Sequence, residues 1–228
     1  MINNPSAAPS GAVKPPAPAG RHRITDYDTL IDELAYTYDG TFSRASIAQA
    51  VAEARTALEP TARIADFLPI LVARFARERL TAAAQAAGKI TKPVPELLFV
   101  CVQNAGRSQM AAALAQHLSA GRVHIRSAGS HPTDQINPVA VQVLAERGIN
   151  LTEAYPKPLT SDVMHAADVI VTMGCGDTCP IYPGKRYLDW DVPDPNGRPI
   201  QEVRDIREDL QARVTALLRD LNIQPKEL

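Results

Sequence analysis

Apolar side chains recur at helical spacing through the first part of the chain, from about Arg21 to Gly88. Breaks between the apolar stripes lie at Asp39-Gly40 and at Pro60, because glycine often ends a helix and proline cannot continue one. The pattern predicts a small all-α three-helix bundle over residues 21–88. The three stripes consist of Tyr27, Leu30, Ile31, Leu34 and Tyr38, then Ile47, Val51, Ala54 and Leu58, and then Leu68, Leu71, Val72 and Phe75.

The pattern changes after a polar, proline-containing stretch at residues 89–96, which we interpret as a linker. Strands are predicted over residues 97–102, 123–127, 168–173 and 186–190, and helices over residues 107–120, 138–147, 160–166 and 199–221. Alternating strands and helices are typical of a parallel sheet with helices on both faces. Residues 97–228 are therefore predicted to form an α/β domain on a four-stranded parallel sheet, with its ligand at the carboxyl ends of the strands.

The first 20 residues contain mostly Pro, Ala, Ser and Gly. Such a segment buries too little apolar surface to offset its chain entropy, so we predict a disordered tail at residues 1–20. The sequence shows neither a secretory leader pattern nor an apolar run long enough to span a bilayer. We therefore expect a cytoplasmic protein without a membrane partner.

The charge balance of the chain bears on which partners it can bind. The chain has 24 Lys and Arg against 25 Asp and Glu, a formal net charge of -1, and residues 21–90 contain nine basic and nine acidic residues. This balance argues against a nucleic-acid partner, although a three-helix unit is one common DNA-binding architecture.

The chain has three cysteines, Cys101, Cys175 and Cys179. This small, odd number does not fit the disulfide framework of a secreted protein, so the cysteines point to chemistry or metal binding.

The segment Cys101-Val-Gln-Asn-Ala-Gly-Arg107-Ser108 carries the strongest functional signal. It follows a buried strand and opens a helix, where backbone N–H groups can converge on a tetrahedral oxyanion. Arg107 can hold two oxygens of the anion with its planar guanidinium, and Ser108 can hydrogen-bond the Cys101 thiolate. We therefore predict Cys101 as a nucleophile, in a loop whose oxyanion-binding residues are Val102, Gln103, Asn104, Ala105, Gly106 and Arg107.

From Leu97 to Leu221 the sequence resembles the low-molecular-weight protein tyrosine phosphatases and the arsenate reductases related to them. The resemblance lies in the cysteine loop and the residues Arg107-Ser-Gln-Met-Ala111, in Ser127-Ala-Gly129, and in Asn137-Pro138 and Asp194-Pro195. The preceding helical region resembles the N-terminal three-helix domain of some actinobacterial members. The resemblance implies a low-molecular-weight phosphatase-like fold, and it makes Asp194 the general acid in preference to its neighbours Asp189 and Asp191.

Cys175 and Cys179 follow the third predicted strand. A zinc site would need histidines at suitable spacing, and His131 and His165 are not so placed. The resemblance instead implies a three-cysteine relay, in which Cys101 attacks arsenate, Cys175 attacks Cys101, and Cys179 attacks Cys175. It implies no bound cofactor and no metal, but an external thiol reductant: thioredoxin, with mycothiol and mycoredoxin as the alternative. Phosphate or sulfate would mimic the substrate.

The sequence is also compatible with other functions. Hydrolysis of phosphotyrosine or another phosphoester would use Cys101, Arg107 and Asp194 alone, although Asn196-Gly197 stands where tyrosine phosphatases of the family carry aromatic residues. A binding role centred on the helical domain is the third possibility. Some relatives bind potassium beside the loop; Asn104 is present here, but Ala112 occupies the position of the glutamate ligand.

Overall fold

The computed structural model describes residues 27–62, 65–174 and 179–227. The predicted tail at residues 1–20 and the predicted relay cysteine Cys175 lie outside these ranges. None of the helices in the described ranges combines the length and the apolar composition needed to cross a bilayer.

Three helices form the N-terminal part of the structure: α1 (Tyr27–Thr37), α2 (Arg44–Leu58) and α3 (Leu68–Ala86). Ser43 caps α2, its hydroxyl accepting a hydrogen bond from the backbone N–H of Ser46 at 3.1 Å. The predicted apolar stripes face one another and form a common core, which confirms the helical bundle. Its most buried members are Leu30, Leu34, Ile47, Val51, Ala54, Val72, Phe75 and Ala76.

The second part is built on four parallel strands, β1 (Glu96–Cys101), β2 (His124–Gly129), β3 (Val169–Met173) and β4 (Arg186–Asp189), in the order β2-β1-β3-β4. The accompanying helices are α4 (Arg107–Ser119), α5 (Pro138–Ala145), α6 (Ser161–Ala166) and α7 (Ile200–Asp220). This confirms the predicted α/β fold with a parallel sheet. Strand β2 extends two residues beyond the prediction, because Ala128 and Gly129 pair with Val100 and Cys101.

The two faces of the sheet are covered differently. Leu97, Phe99 and Cys101 share a core with α4, α5 and α7, whereas Leu98 and Val100 face the opposite side, as the two-residue period of a strand requires. On that opposite side the cover comes from α6 and from Ala82 of α3. The N-terminal bundle therefore shares a core with the parallel sheet.

A buried ion pair at the start of β1 adds to the contact between the N-terminal bundle and the sheet. The guanidinium of Arg126 donates to Glu96 Oε2 at 3.0 Å, and two of its other nitrogens donate to the backbone oxygen of Glu78 and to Gln85 Oε1, both on α3. Burial would raise the pKa of the Glu96 carboxyl, but contacts with His124 and Arg126 overcome this effect and lower that pKa to about 2. Glu96 is therefore a buried carboxylate that stays ionised at neutral pH.

The strand register brings the chemistry-bearing segments together. Cys101 is the last residue of β1, and it pairs with Gly129 of β2 on one side and with Met173 of β3 on the other. Since all the strands are parallel, the segments that follow these three residues leave the sheet at the same edge.

Candidate active site

The loop from Cys101 to Arg107 connects β1 to α4. Cys101 is a free thiol with only 2% of its surface exposed. The N-cap of α4 is Gly106, which has no side chain to satisfy the first amides of the helix. The amino end of α4 thus offers unoccupied donors and positive potential next to the thiol, which suits an anion.

Four carbonyl groups of this loop point away from its centre. They are held by the backbone N–H groups of a second loop, residues 130–137, which follows β2. The four bonds run from Ser130 to Cys101 (3.2 Å), from His131 to Val102 (2.8 Å), from Thr133 to Gln103 (3.2 Å) and from Asn137 to Ala105 (2.9 Å). This fixes the orientation of most peptide groups in the Cys101 loop.

The orientation of the carbonyls determines that of the amides. In a planar trans peptide the N–H points opposite to the preceding C=O, and no cis peptide bond occurs in the described residues. The N–H groups of Val102, Gln103, Asn104 and Gly106 therefore point into the loop. One contact bears this out directly: the N–H of Asn104 donates to Cys101 Sγ at 3.2 Å. The loop is an amide-lined nest of the kind that binds oxyanions.

Ser108 completes the surroundings of the thiol. Its Oγ accepts a hydrogen bond from Asn104 Nδ2 at 2.9 Å, and it lies 3.0 Å from Cys101 Sγ. A thiolate sulfur can only accept, so when Cys101 is ionised the Ser108 hydroxyl is the donor in this contact. A donor aimed at sulfur favours the thiolate over the thiol.

Asn104 is the residue that holds this arrangement in place. It is fully buried and has a φ of 49°, a left-handed conformation that asparagine tolerates better than most residues. Its Oδ1 accepts hydrogen bonds from Gln109 Nε2 and from the backbone N–H of Lys157, both at 3.0 Å. The orientation of its carboxamide is thereby fixed, and with it the direction of the Nδ2 donor.

Arg107 and Asp194 meet at the mouth of the loop. Nη2 of Arg107 donates to Asp194 Oδ2 at 2.8 Å, while Asp194 Oδ1 accepts from the N–H of Asn196 at 2.9 Å. The alternative acid Asp189 is engaged elsewhere, since its Oδ1 accepts a 2.6 Å hydrogen bond from Thr172. Of the predicted site residues, the structure therefore brings Cys101, Arg107, Ser108 and Asp194 together.

Two glycines allow this close packing. A Cβ on Gly106 would lie 2.5 Å from Cγ of Pro195, and a Cβ on Gly174 would lie 2.8 Å from Nη1 of Arg107. Gly174 also has a φ of 72°, which disfavours any other residue. The chain that follows β3 thus passes directly beside the Arg107 guanidinium.

A cleft of about 170 Å³ opens beside this arrangement. Its walls come from the Cys101 loop, from the second loop and from the Asp194 segment, and are formed by Gln103, Ala105, Gly106, Thr133, Asp134, Gln135, Asn137, Pro138, Asp194 and Asn196.

The distal cysteines are described only in part. Cys179 is disulfide-bonded and half-buried, and Cys175 belongs to the residues that the structure does not describe. Within the described ranges, no group of three or more His, Cys, Asp and Glu side chains is arranged to hold a metal ion.

Comparisons with known proteins agree with this geometry. The family model of the low molecular weight phosphotyrosine protein phosphatases matches residues 96–227. The chain belongs to this family. The model of a protein-tyrosine-phosphatase-like N-terminal domain matches residues 28–84, so both halves of the chain have known relatives.

Individual relatives of the family are named for two activities. A thioredoxin-dependent arsenate reductase of Corynebacterium glutamicum is 45% identical, with a TM-score of 0.77 over 86% of this chain and 95% of that one. A putative arsenate reductase of Halobacterium salinarum is 37% identical over 54% of this chain and 91% of its own length. An arginine phosphatase of Geobacillus stearothermophilus is 26% identical, with a TM-score of 0.50 over 56% of this chain and 93% of that one.

The sequence did not reveal two parts of the site. The second loop, residues 130–137, fixes the carbonyls through backbone N–H groups, which leave no signature in the sequence beyond the Asn137-Pro138 helix start. Lys157 contributes a backbone N–H from a segment 53 residues away from Asn104, and no local motif marks it.

Proposed function

We propose that this protein is an arsenate reductase that uses Cys101 as nucleophile and passes the resulting oxidation to Cys175 and Cys179. One structural observation carries the proposal. Met173 pairs with Cys101 across β1 and β3, and Gly174 then lies against Arg107. Cys175 is the next residue in the chain, so the segment with the two further cysteines follows directly on a residue that lies against Arg107.

The first step is attack on arsenate. The inward amides and the Arg107 guanidinium bind the tetrahedral anion, and phosphate or sulfate would occupy the same nest as mimics. The Cys101 thiolate forms a sulfur–arsenic bond while one arsenic–oxygen bond breaks. Asp194 gives its proton to the departing hydroxide, which leaves as water. Arg107 releases Asp194 as it turns to the anion, which frees the carboxyl for this role.

The second step is the reduction itself. The Cys175 thiolate attacks Cys101 Sγ and forms a disulfide, and the sulfur–arsenic bond breaks with its electron pair going to arsenic. Arsenic(V) thereby becomes arsenic(III) and leaves as arsenite, while two thiols become one disulfide. Cys179 then attacks Cys175, which returns Cys101 to its thiolate form.

Regeneration needs an external thiol reductant, since the chain itself ends each turnover with a disulfide. Because a relative that is 45% identical over most of the chain is named as thioredoxin-dependent, we propose thioredoxin as the donor, with mycothiol and mycoredoxin as the second candidate. Such recycling suits a reducing compartment, so we place the protein in the cytoplasm.

The test is NADPH oxidation driven by arsenate, with purified thioredoxin and thioredoxin reductase, and in parallel with mycothiol and mycoredoxin. We expect turnover with thioredoxin, and we expect Cys175→Ser to reduce it to background. The same Cys175→Ser protein should hydrolyse p-nitrophenyl phosphate as well as the unmodified protein does, because that reaction uses only Cys101, Arg107 and Asp194. Phosphoester hydrolysis combined with no arsenate turnover in either system would make the protein a phosphatase instead.

A further inference from the structure

Two ion pairs of similar length and burial tie α3 to the catalytic domain. Glu78 Oε2 accepts from Lys157 Nζ at 2.7 Å, and Arg79 Nε donates to Asp162 Oδ2 at 2.8 Å. All four side chains are less than one-fifth exposed. The two pairs end at different places: Asp162 belongs to α6, whereas Lys157 belongs to a segment that reaches the nucleophile loop.

The segment of residues 155–157 makes one hydrogen bond to the loop and one to Gln109 of α4. The backbone N–H of Lys157 donates to Asn104 Oδ1 at 3.0 Å, and the backbone oxygen of Tyr155 accepts from Gln109 Nε2 at 3.1 Å. Gln109 Nε2 also donates to Asn104 Oδ1. Both contacts therefore converge on the Asn104 carboxamide, whose Nδ2 donates to the Ser108 oxygen beside Cys101 Sγ.

The same segment is held from the other side by the N-terminal bundle. The Tyr155 ring packs against the apolar core of α1, α2 and α3. The Arg74 guanidinium lies 5.1 Å from the centre of this ring, and Lys157 Nζ lies 5.3 Å from it, both within the range of cation–π attraction. One short stretch of chain thus contacts the helical domain with its side chains and the nucleophile loop with its backbone.

We propose that Lys157 and Glu78 are positioning residues through which the N-terminal helical domain sets the reactivity of Cys101. The path runs from Glu78 to Lys157, from its backbone N–H to Asn104, and from Asn104 through Ser108 to the sulfur. This inference rests on the proposed role of Cys101 as nucleophile, but not on the identity of the oxyanion that is reduced.

The physical consequence of losing the ion pair is specific. Without the ion pair to Glu78, the backbone at Lys157 becomes more mobile. The Asn104 carboxamide then loses one of the two donors that fix its orientation. The Ser108 proton then points at sulfur for a smaller fraction of the time, so the thiolate is less favoured. The core that Ala82 of α3 shares with the sheet includes neither Lys157 nor Glu78, so we expect the fold to persist.

The test measures Cys101 alkylation by iodoacetamide at about pH 6 and about pH 9, in protein with both distal cysteines replaced by serine. Only the thiolate form of a cysteine reacts with iodoacetamide, and a higher pH favours that form in every variant. Lys157→Met and Glu78→Gln should each lower the ratio of the rate at low pH to that at high pH about threefold, and the double variant should lower it no further. Lys157→Arg, which keeps the charge, should restore the ratio.

Asp162→Asn is the matched control, since it breaks an ion pair of α3 that has similar length and burial but ends on α6. We expect its rate ratio to equal that of the parent protein, even if its melting temperature falls as far as that of Lys157→Met. The proposal is overturned if Lys157→Met leaves the ratio unchanged, or if Asp162→Asn lowers it equally. If Cys101 were not the nucleophile of an oxyanion site, a different result would show it: arsenate and phosphate would fail to protect Cys101 from alkylation in the parent protein.

Discussion

The guanidinium of Arg107 holds the carboxylate of Asp194 at 2.8 Å across the mouth of the Cys101 loop. The two side chains differ in exposure, at 12% for Arg107 and 45% for Asp194. The arginine is thus the more enclosed member of the pair, and the aspartate is the one more open to solvent. This difference is consistent with the roles we propose for them, the arginine as anion ligand and the aspartate as proton donor.

We predict that Asp194→Asn lowers kcat for arsenate reduction about a hundredfold or more, the usual contribution of a general acid. The asparagine can still accept from Arg107 but cannot donate a proton to the leaving hydroxide. Steady-state kinetics with the coupled thioredoxin system measures the effect. Asp189→Asn serves as control, since that carboxylate is engaged by Thr172, and its kcat should stay within about twofold of the parent value. A larger loss in Asp189→Asn than in Asp194→Asn would move the acid to the other residue.

Ser108→Ala should lower the rate of Cys101 alkylation at about pH 6 about tenfold, because a hydrogen bond to a charged group is lost. Ser119→Ala is a suitable control. Ser119 is also fully buried and lies at the other end of α4, where its hydroxyl contacts the backbone oxygen of Gln116. We expect the Ser119 variant to react at the parent rate. Equal rates in the parent protein and in Ser108→Ala would show that the hydroxyl does not stabilise the thiolate.

Gly106 lies so close to Pro195 that a side chain at position 106 should clash with the proline ring, and removing that ring should relieve the clash. Gly106→Ala places a methyl group 2.5 Å from Pro195 Cγ, so the loop or the Asp194 segment must move, at a cost of about 1–3 kcal/mol in stability. We expect arsenate turnover to fall about tenfold or more as the acid shifts away from the nest. The double variant Gly106→Ala/Pro195→Ala should recover part of the activity, whereas no recovery would mean that the alanine disturbs the amides directly.

The buried Glu96 makes stability depend on pH. Its folded pKa of about 2 lies below the ordinary value of 4.5, so it contributes stability above about pH 4.5 that is lost as the pH falls toward 2. The full contribution is roughly 3 kcal/mol. Urea unfolding at pH 7 and at about pH 3 should show this loss in the parent protein. Glu96→Gln should be less stable at pH 7, because it leaves Arg126 charged and buried, and it should lose less on acidification.

Glu33→Gln is the control for this experiment, since Glu33 lies exposed on α1. Its unfolding free energy should follow that of the parent protein at both pH values. If Glu96→Gln kept the full acid-dependent loss, the pH dependence would have to come from other carboxylates.

The fold was predictable because it depends on local patterns. The run from Leu97 to Val102 is apolar throughout, as expected for a central strand covered on both faces, and the helical stripes of the N-terminal part point into one core. The oxyanion loop was predictable for a similar reason, since Cys101, Arg107 and Ser108 lie within one strand–loop–helix unit whose geometry follows from its spacing.

What the sequence did not predict depends on contacts between distant segments. Nothing around Arg126 indicates that its side chain is buried and bonded to α3, and an arginine in a strand would ordinarily be expected at the surface. Lys157 likewise looks like an ordinary loop lysine, because its hydrogen bond to Asn104 comes from the backbone. The N-terminal helices were expected to form a bundle, but their use as a cover for the catalytic sheet required the structure.

A single turnover without external reductant tests the relay most directly. Fully reduced protein is mixed with excess arsenate, and arsenite, free thiols and disulfide-linked peptides are then quantified. We expect one arsenite per chain, the loss of two of the three thiols, and a Cys101–Cys175 disulfide trapped in Cys179→Ser. Arsenite release at the parent amplitude from Cys175→Ser would contradict the account, because arsenic would then be reduced without the second thiol.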